Sequence, residues 1–323
     1  MTCRYIARIA SAVCALGFLT PACAQTFPAK TVTIIVPFVT GGSTDVMTRI
    51  VAQRYAEIVG QPVIVENRGG GSGTAGAVAV KQAAADGYTL LAANPPILVG
   101  NLLLSSNMPY TTTDFAPVQL MYKTVTFLYV PASSPAASIS ELVALARKKP
   151  GGLSYASQGL GTSGHLGGAA LQALTGAQFV HVPYKGSGQG MVDLAAGRVD
   201  MFFSVTATAA PFVKAGSVKT LAVAAATRSK ALPNLPTTVE SGYPELILDT
   251  WFGLFAPAGT PASIINKLNE DLRMAVLSPE VTRKLSDQNL DPVNATPAEI
   301  SKMLVADRIR FERAYKAAGL RKE

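Results

Sequence analysis

From about residue 31 onward, short apolar runs alternate with stretches of helical periodicity. Residues 32–38 are almost wholly apolar, which predicts a strand buried on both faces. Over 44–59, Val46, Ile50, Val51, Ile58 and Val59 fall on one helical face, and Gly60-Gln61-Pro62 stops the helix. A strand at 63–66, a glycine-rich turn, a helix over 74–85 and a strand at 89–93 follow. This βαβαβ order predicts parallel strands with helices packed on their faces.

The pattern resumes after Pro131. Ser138 and Glu141 form a capping box for a helix ending at Lys149, and Pro150-Gly151-Gly152 terminates it. Strands are predicted at 153–156, 179–182, 199–203 and 220–224, with helices over 164–174 and 190–196 between them. The tail reads as helical, with Thr260-Pro261, Ser278-Pro279 and Thr296-Pro297 as helix starts and Glu299 completing a box. No low-complexity linker separates the two βα sets. Two units joined by ordinary strands predict a hinged pair with a cleft between them, and the fold class is α/β.

The ends change the picture. Arg4 and Arg8 are the only charged residues before Lys30, and the apolar run at 9–19 is too short to span a bilayer. Ala22-Cys23-Ala24 offers a small-x-small cleavage site, so residues 1–24 read as an export signal and the mature chain begins near Gln25. A lipoprotein signal acylated at Cys23 is the alternative. Cys3, Cys14 and Cys23 are the only cysteines, so the mature chain has no thiol for a disulfide, a nucleophile or a metal. His165 and His181 are the only imidazoles, too few for a histidine-rich metal site. No metal or cofactor is expected.

Removing the segment lowers the basic count from 28 to 26 against 20 acidic residues, a net charge of +6. The basic residues are scattered, which argues against nucleic acid as a partner. The field would gather anions weakly at physiological salt.

Three loops could carry chemistry. Phe38-Val39-Thr40-Gly41-Gly42-Ser43-Thr44-Asp45 links a strand to a helix, where two glycines, free N–H groups and the helix dipole favour an anion. It can equally be a plain turn capped by Ser43 or Thr44. Ser157-Gln158-Gly159-Leu160-Gly161-Thr162-Ser163-Gly164-His165 repeats the arrangement, and the helix dipole should keep His165 neutral. A packed structural role for His165 remains open. After a further strand, Tyr184-Lys185-Gly186-Ser187-Gly188 adds a cation that either pairs with a carboxylate or faces solvent. Gly71-Ser72-Gly73-Thr74-Ala75-Gly76 matches a dinucleotide fingerprint, but it follows the second strand and no acidic residue stands about 20 positions on. Its glycines read as a tight turn and close packing. No nucleophile elbow, phosphate loop or zinc-protease motif occurs. A pairing of Ser157 or Ser163 with His165 would lack an orienting third group.

Between residues 27 and 319 the chain resembles the substrate-binding receptors of tripartite tricarboxylate transporters, the Bug proteins. The resemblance lies in Val32-Thr33-Ile34-Ile35-Val36-Pro37-Phe38 with Gly41-Gly42-Ser43-Thr44-Asp45, and in Gln61-Pro62-Val63-Ile64-Val65-Glu66-Asn67-Arg68. It continues through Asp86-Gly87-Tyr88-Thr89-Leu90-Leu91, His181-Val182-Pro183-Tyr184-Lys185-Gly186, Leu235-Pro236-Thr237-Thr238-Val239-Glu240 and Trp251-Phe252-Gly253-Leu254-Phe255-Ala256-Pro257. It implies a two-domain Venus-flytrap fold of the type II periplasmic kind. Domain 1 would comprise 25–124 plus 249–323 and domain 2 would comprise 125–248, with crossings near 123–126 and 248–250.

The resemblance also implies a ligand site at Phe38, Gly41, Gly42, Ser43, Thr44 and Asp45, then Ser157, Gly159, Thr162 and His165, with Tyr184 and Lys185 besides. Asp45 would cap its helix or orient a water rather than meet a carboxylate. Two departures bear on the ligand. Thr40 replaces a usual small Ala and would narrow the pocket or add a hydroxyl. Ser204 stands where many relatives have Asp, which argues against an amino acid and for a mono- or dicarboxylate, possibly aromatic. The implied function is a monomeric periplasmic receptor, not an enzyme, that delivers a small carboxylate to the membrane subunits of a tripartite tricarboxylate-type transporter. A sensor for a signalling partner, the ligand-sensing half of a transcription regulator, or a hydrolase on a related scaffold are the competing readings.

Overall fold

The computed structural model describes residues 27–229 and 232–322. The expected signal segment and its three cysteines lie outside them. The first sheet orders β2 (Val63–Asn67), β1 (Val32–Val36), β3 (Thr89–Ala93), β10 (Asp249–Pro257), β4 (Phe115–Val125) and β11 (Asp291–Pro292). The second orders β7 (Phe179–Pro183), β6 (Leu153–Ser157), β8 (Met201–Ser204), β5 (Phe127–Pro131) and β9 (Val218–Val223).

In each sheet three strands run parallel, and the next one is antiparallel to its neighbours on both sides: β10 between β3 and β4, and β5 between β8 and β9. That inserted strand is the first strand the chain makes after leaving the other sheet. Thr126 carries the chain from β4 to β5, and the return lies between β9 and β10. The two crossings are tied together. Thr126 N–H donates to Leu248 O at 3.0 Å, and Thr126 O accepts from Ala224 N–H at 2.8 Å.

Among the described residues ten helices clothe the sheets: α1 (Ser43–Val59), α2 (Thr74–Lys81), α3 (Asn101–Leu104), α4 (Ile139–Lys148), α5 (Ser163–Thr175), α6 (Ser187–Ala195), α7 (Thr206–Lys214), α8 (Ala262–Val276), α9 (Pro279–Ser286) and α10 (Pro297–Ala317). Strand interiors such as Ile34, Val36, Leu90, Leu91, Leu254 and Phe255 are wholly buried, because both sheet faces are covered. The helix starts at Ser278-Pro279 and Thr296-Pro297 are as the sequence predicts, with Ser278 and Thr296 side chains accepting the N3 amides. Ser138 likewise accepts from Glu141 N–H, although Glu141 returns its bond to Ala137 N–H rather than to Ser138. The start at Thr260 differs. Pro261 is the N-cap of α8, and Thr260 Oγ1 donates instead to Pro257 O at 2.8 Å. Among the described residues no helix is long and apolar enough to cross a membrane.

The glycine-rich segment serves packing. A Cβ on Gly76 would lie 2.7 Å from Pro37 Cβ, and one on Gly73 would lie 2.9 Å from Ile97 Cδ1. Both contacts are closer than a side chain tolerates, so the fingerprint-like spacing marks where α2 sits directly on the end of β1.

Candidate ligand-binding site

A small cavity of ≈ 40 Å3 lies between the sheets at the strand ends. Phe38, Gly42, Ser43 and Thr44 come from the turn into α1, and Asn94 and Pro96 from the loop after β3. Gln158, Thr162 and Ser163 come from the turn into α5, Ser187 from the start of α6, and Ser204 and Val205 from the turn into α7. Thr126, Thr250 and Phe252 lie on the connecting strands. Every lining side chain is neutral, and most polar ones are hydroxyls.

What the wall lacks in charge it has in helix termini. The N-caps of α1, α5, α6 and α7 are Gly42, Thr162, Gly186 and Val205, and none makes a side-chain capping bond. Side-chain caps occur on α4, α9 and α10, away from the cavity. The first N–H groups of a helix have no partner within it, and the dipole adds a partial positive charge. Ser43 and Thr44, expected as possible caps, are the first two residues inside α1.

The surrounding charges are turned elsewhere. Asp45 Oδ2 accepts Gly41 N–H at 3.0 Å, and its other oxygen pairs with Arg49 at 2.9 Å. Burial opposes its ionisation, but Gly41, Arg49 and Asn67 outweigh that and hold the carboxyl below the usual range. Tyr184 donates to Asp193 at 2.7 Å, and Lys185 is solvent-exposed.

His165 and His181 stack with ring centroids 4.1 Å apart, and Tyr155 stacks on the far side of His181 at 5.0 Å. Gly161 N–H donates to His165 Nδ1 at 3.0 Å, so that nitrogen is unprotonated. Burial pushes His165 down to about 4. Burial and then the neighbouring His165 do the same to His181. Ser157 Oγ lies 2.6 Å from His181 Nε2, so the Ser–His pair that forms involves His181 and not His165. Ser157 is fully buried, also accepts Gly159 N–H, and is not part of the cavity wall.

Of the residues nominated from the sequence, Phe38, Gly42, Ser43, Thr44, Thr162 and Ser204 line the cavity. Gly41, Asp45, Ser157, Gly159, His165, Tyr184 and Lys185 do not; all but Tyr184 and Lys185 hold the lining turns in shape. Gly159, at φ +123°, meets the other half of the molecule, and a Cβ there would lie 2.6 Å from Ser72 Oγ. Thr40 is exposed beside an outer groove and does not narrow the cavity. Sequence reasoning missed Asn94, Pro96, Val205 and Phe252, while Gln158, Ser163 and Ser187 lie in the three loops it singled out but were not among its nominated contacts. It also passed over Thr126 and Thr250, which it named as crossing points only. Asn94-Pro95-Pro96 closes a third strand and could have been found by the same strand-end logic.

The halves touch around the cavity. Gly42 faces Ser187, and Tyr315 OH on α10 donates to Gly161 O at 2.6 Å. Two α/β lobes of like strand order, closed over a neutral cavity rich in donors, define a solute-binding receptor. The chain belongs to the tripartite tricarboxylate transporter family of receptors, whose profile matches residues 47–320. It is 36% identical over 310 residues to protein BugT of Bordetella pertussis, covering 95% of this chain and 94% of that one. Rpa4515 of R. palustris, solved with adipate, superposes with a TM-score of 0.89 at 36% identity, over 92% of this chain and 100% of that one. MatC (Rpa3494) from Rhodopseudomonas palustris, solved with malate, gives 0.84 at 30% identity, over 89% and 99%.

Proposed function

We propose that this chain is a periplasmic receptor that captures a small mono- or dicarboxylate in the cavity and passes it to the membrane subunits of a tripartite tricarboxylate-type transporter. Residues 25–124 plus 249–323 would form one moving lobe and 125–248 the other, with Phe38, Gly42, Ser43, Thr44, Thr162 and Ser204 among the ligand contacts. The carrying observation is the convergence of four helix N-termini, none capped by the side chain of its own N-cap residue, on a cavity with no charged side chain. Backbone N–H groups and hydroxyls can hold a carboxylate there without a cation. No acidic side chain lines the wall to meet an ammonium group, which favours plain carboxylates over amino acids. Ligands held by the two neighbours, adipate and malate, are of this class. Closure follows because a ligand touching both lobes binds the closed form better than the open one.

A thermal-shift screen of the mature, ligand-stripped protein against carboxylates, amino acids and sugars tests this. At 100 times its Kd a ligand adds about 2.7 kcal/mol, a rise of roughly 4–8 °C. A rise with carboxylates alone is the expected result. A rise with amino acids or sugars and none with carboxylates would overturn the reading.

A further inference from the structure

Outside the ligand cavity lies a larger hollow. An open groove of ≈ 1000 Å3 runs along the seam between the lobes. Val46 and Met47 on α1 form one side, and Val192 on α6 with Ala210, Pro211 and Phe212 on α7 form the other. Val46 is 40% and Val192 51% exposed. Apolar side chains gathered at an open surface and rimmed by polar ones mark a place where another molecule binds. A small solute needs most of its surface enclosed, which this groove does not provide, whereas a protein segment fits it.

The groove begins one residue outside the cavity. Gly42 and Ser187 line the cavity, and their neighbours Gly41 and Gly188 line the groove. These neighbours meet across the seam, where a Cβ on Gly188 would lie 4.0 Å from Gly41 O. Ser187 Oγ lies 3.0 Å from Thr208 Oγ1, which joins the cavity wall to the groove wall. With α1 packed in one lobe and α6 and α7 in the other, opening the lobes splits the groove. Its charge is one-sided as well. Lys214 stands in its wall, Lys185 is exposed three residues before Gly188, and among the described residues no acidic side chain lines it. A second copy of this chain, itself basic, is therefore a poorer occupant than a segment bearing acidic residues.

We propose that this groove is the face by which the closed, loaded receptor docks on its transporter, and that it takes an apolar segment flanked by acidic residues from the membrane subunits. This rests on the receptor reading above. A segment seated there touches both lobes, so it binds the closed form better than the open one. Docking and ligand binding then strengthen each other by the same factor. The docked receptor holds its ligand more tightly, and release needs a later change in the membrane subunits.

Carboxylate uptake by the native host, with variants replacing the wild-type gene, tests the face. The solute is the carboxylate that raises the melting temperature of the purified protein. Val192→Asp and Lys214→Glu should each lower uptake by about 10-fold, as loss of one central interface contact does. Their melting temperatures and their affinities for the carboxylate should stay at wild type. Val305→Asp, at a 65% exposed position outside the groove, should leave uptake unchanged. A photoactivatable cross-linker on Val46→Cys should join the protein to a membrane subunit, and more so with the carboxylate present. Normal uptake by both variants, or a fall matched by lost carboxylate affinity, would overturn the docking face and leave the carboxylate site standing. Cross-linking to a second copy, or cross-linking indifferent to the carboxylate, would do the same. A protein that binds no carboxylate overturns the receptor reading as well.

Discussion

At the scale of single residues, the histidine stack makes the molecule sensitive to acid. Gly161 N–H already donates to His165 Nδ1, so a proton on that nitrogen would face another donor, and the ring beneath it is a second imidazole. With both folded-state values near 4 against an ordinary 6.5, the unfolded chain takes up protons first as pH falls. The stabilisation is complete above pH 6.5, drains between about 6.5 and 4, and changes no further below that. For the buried His165 the loss is on the order of 3 kcal/mol. Urea unfolding at pH 7.5 and 4.5 should show it, and His165→Gln should flatten the slope; an unchanged slope would remove His165 as its source. The sequence pointed to the correct turns but to only some of the side chains that face inward. Asp45, expected to cap its helix or orient a water, has one oxygen on Gly41 N–H and the other on Arg49.

The secondary-structure elements divide by how local their signals are. β1, α1, β3 and α5 were legible because strand-length apolar runs and glycine stops lie within a few residues. β4 was not, since Pro117, Gln119 and Lys123 break its apolar run and its partners β10 and β11 are far along the chain. α7 hid behind Pro211, an interior position that reads as a breaker. The seat of α2 on β1 yields a sharp expectation. Gly76→Ala should destabilise the fold by about 1–3 kcal/mol, because the new methyl would press on the Pro37 backbone as well as its ring. A denaturation midpoint equal to wild type would show that the contact relaxes freely.

For the molecule as a whole, one hydrogen bond spans the lobes from an unexpected direction. Tyr315 reaches from the last long helix to Gly161 O, in the turn that supplies Gln158 and Thr162 to the cavity. Gly100 makes the approach possible, since a side chain there would strike the Tyr315 hydroxyl. Tyr315→Phe leaves a buried carbonyl unpaired in the closed form only, so ligand affinity should fall by about 5- to 30-fold. Titration measures that fall, and small-angle scattering should show less compaction at a fixed subsaturating ligand concentration. Equal affinity would mean the bond survives opening. Like strand orders in the two sheets were not legible as a repeat, because the resemblance is one of topology and not of side chains. The interleaving of the sheets also bears on how the polypeptide is made. β10 fills the middle of the first sheet between β3 and β4, yet it is synthesised only after the entire second sheet. Until then β3 and β4 have no partner between them, and closing that gap carries the entropy of a long loop. A nascent chain emerging from its N-terminus therefore completes its second lobe before its first, and stays pliable until nearly all of it has been delivered.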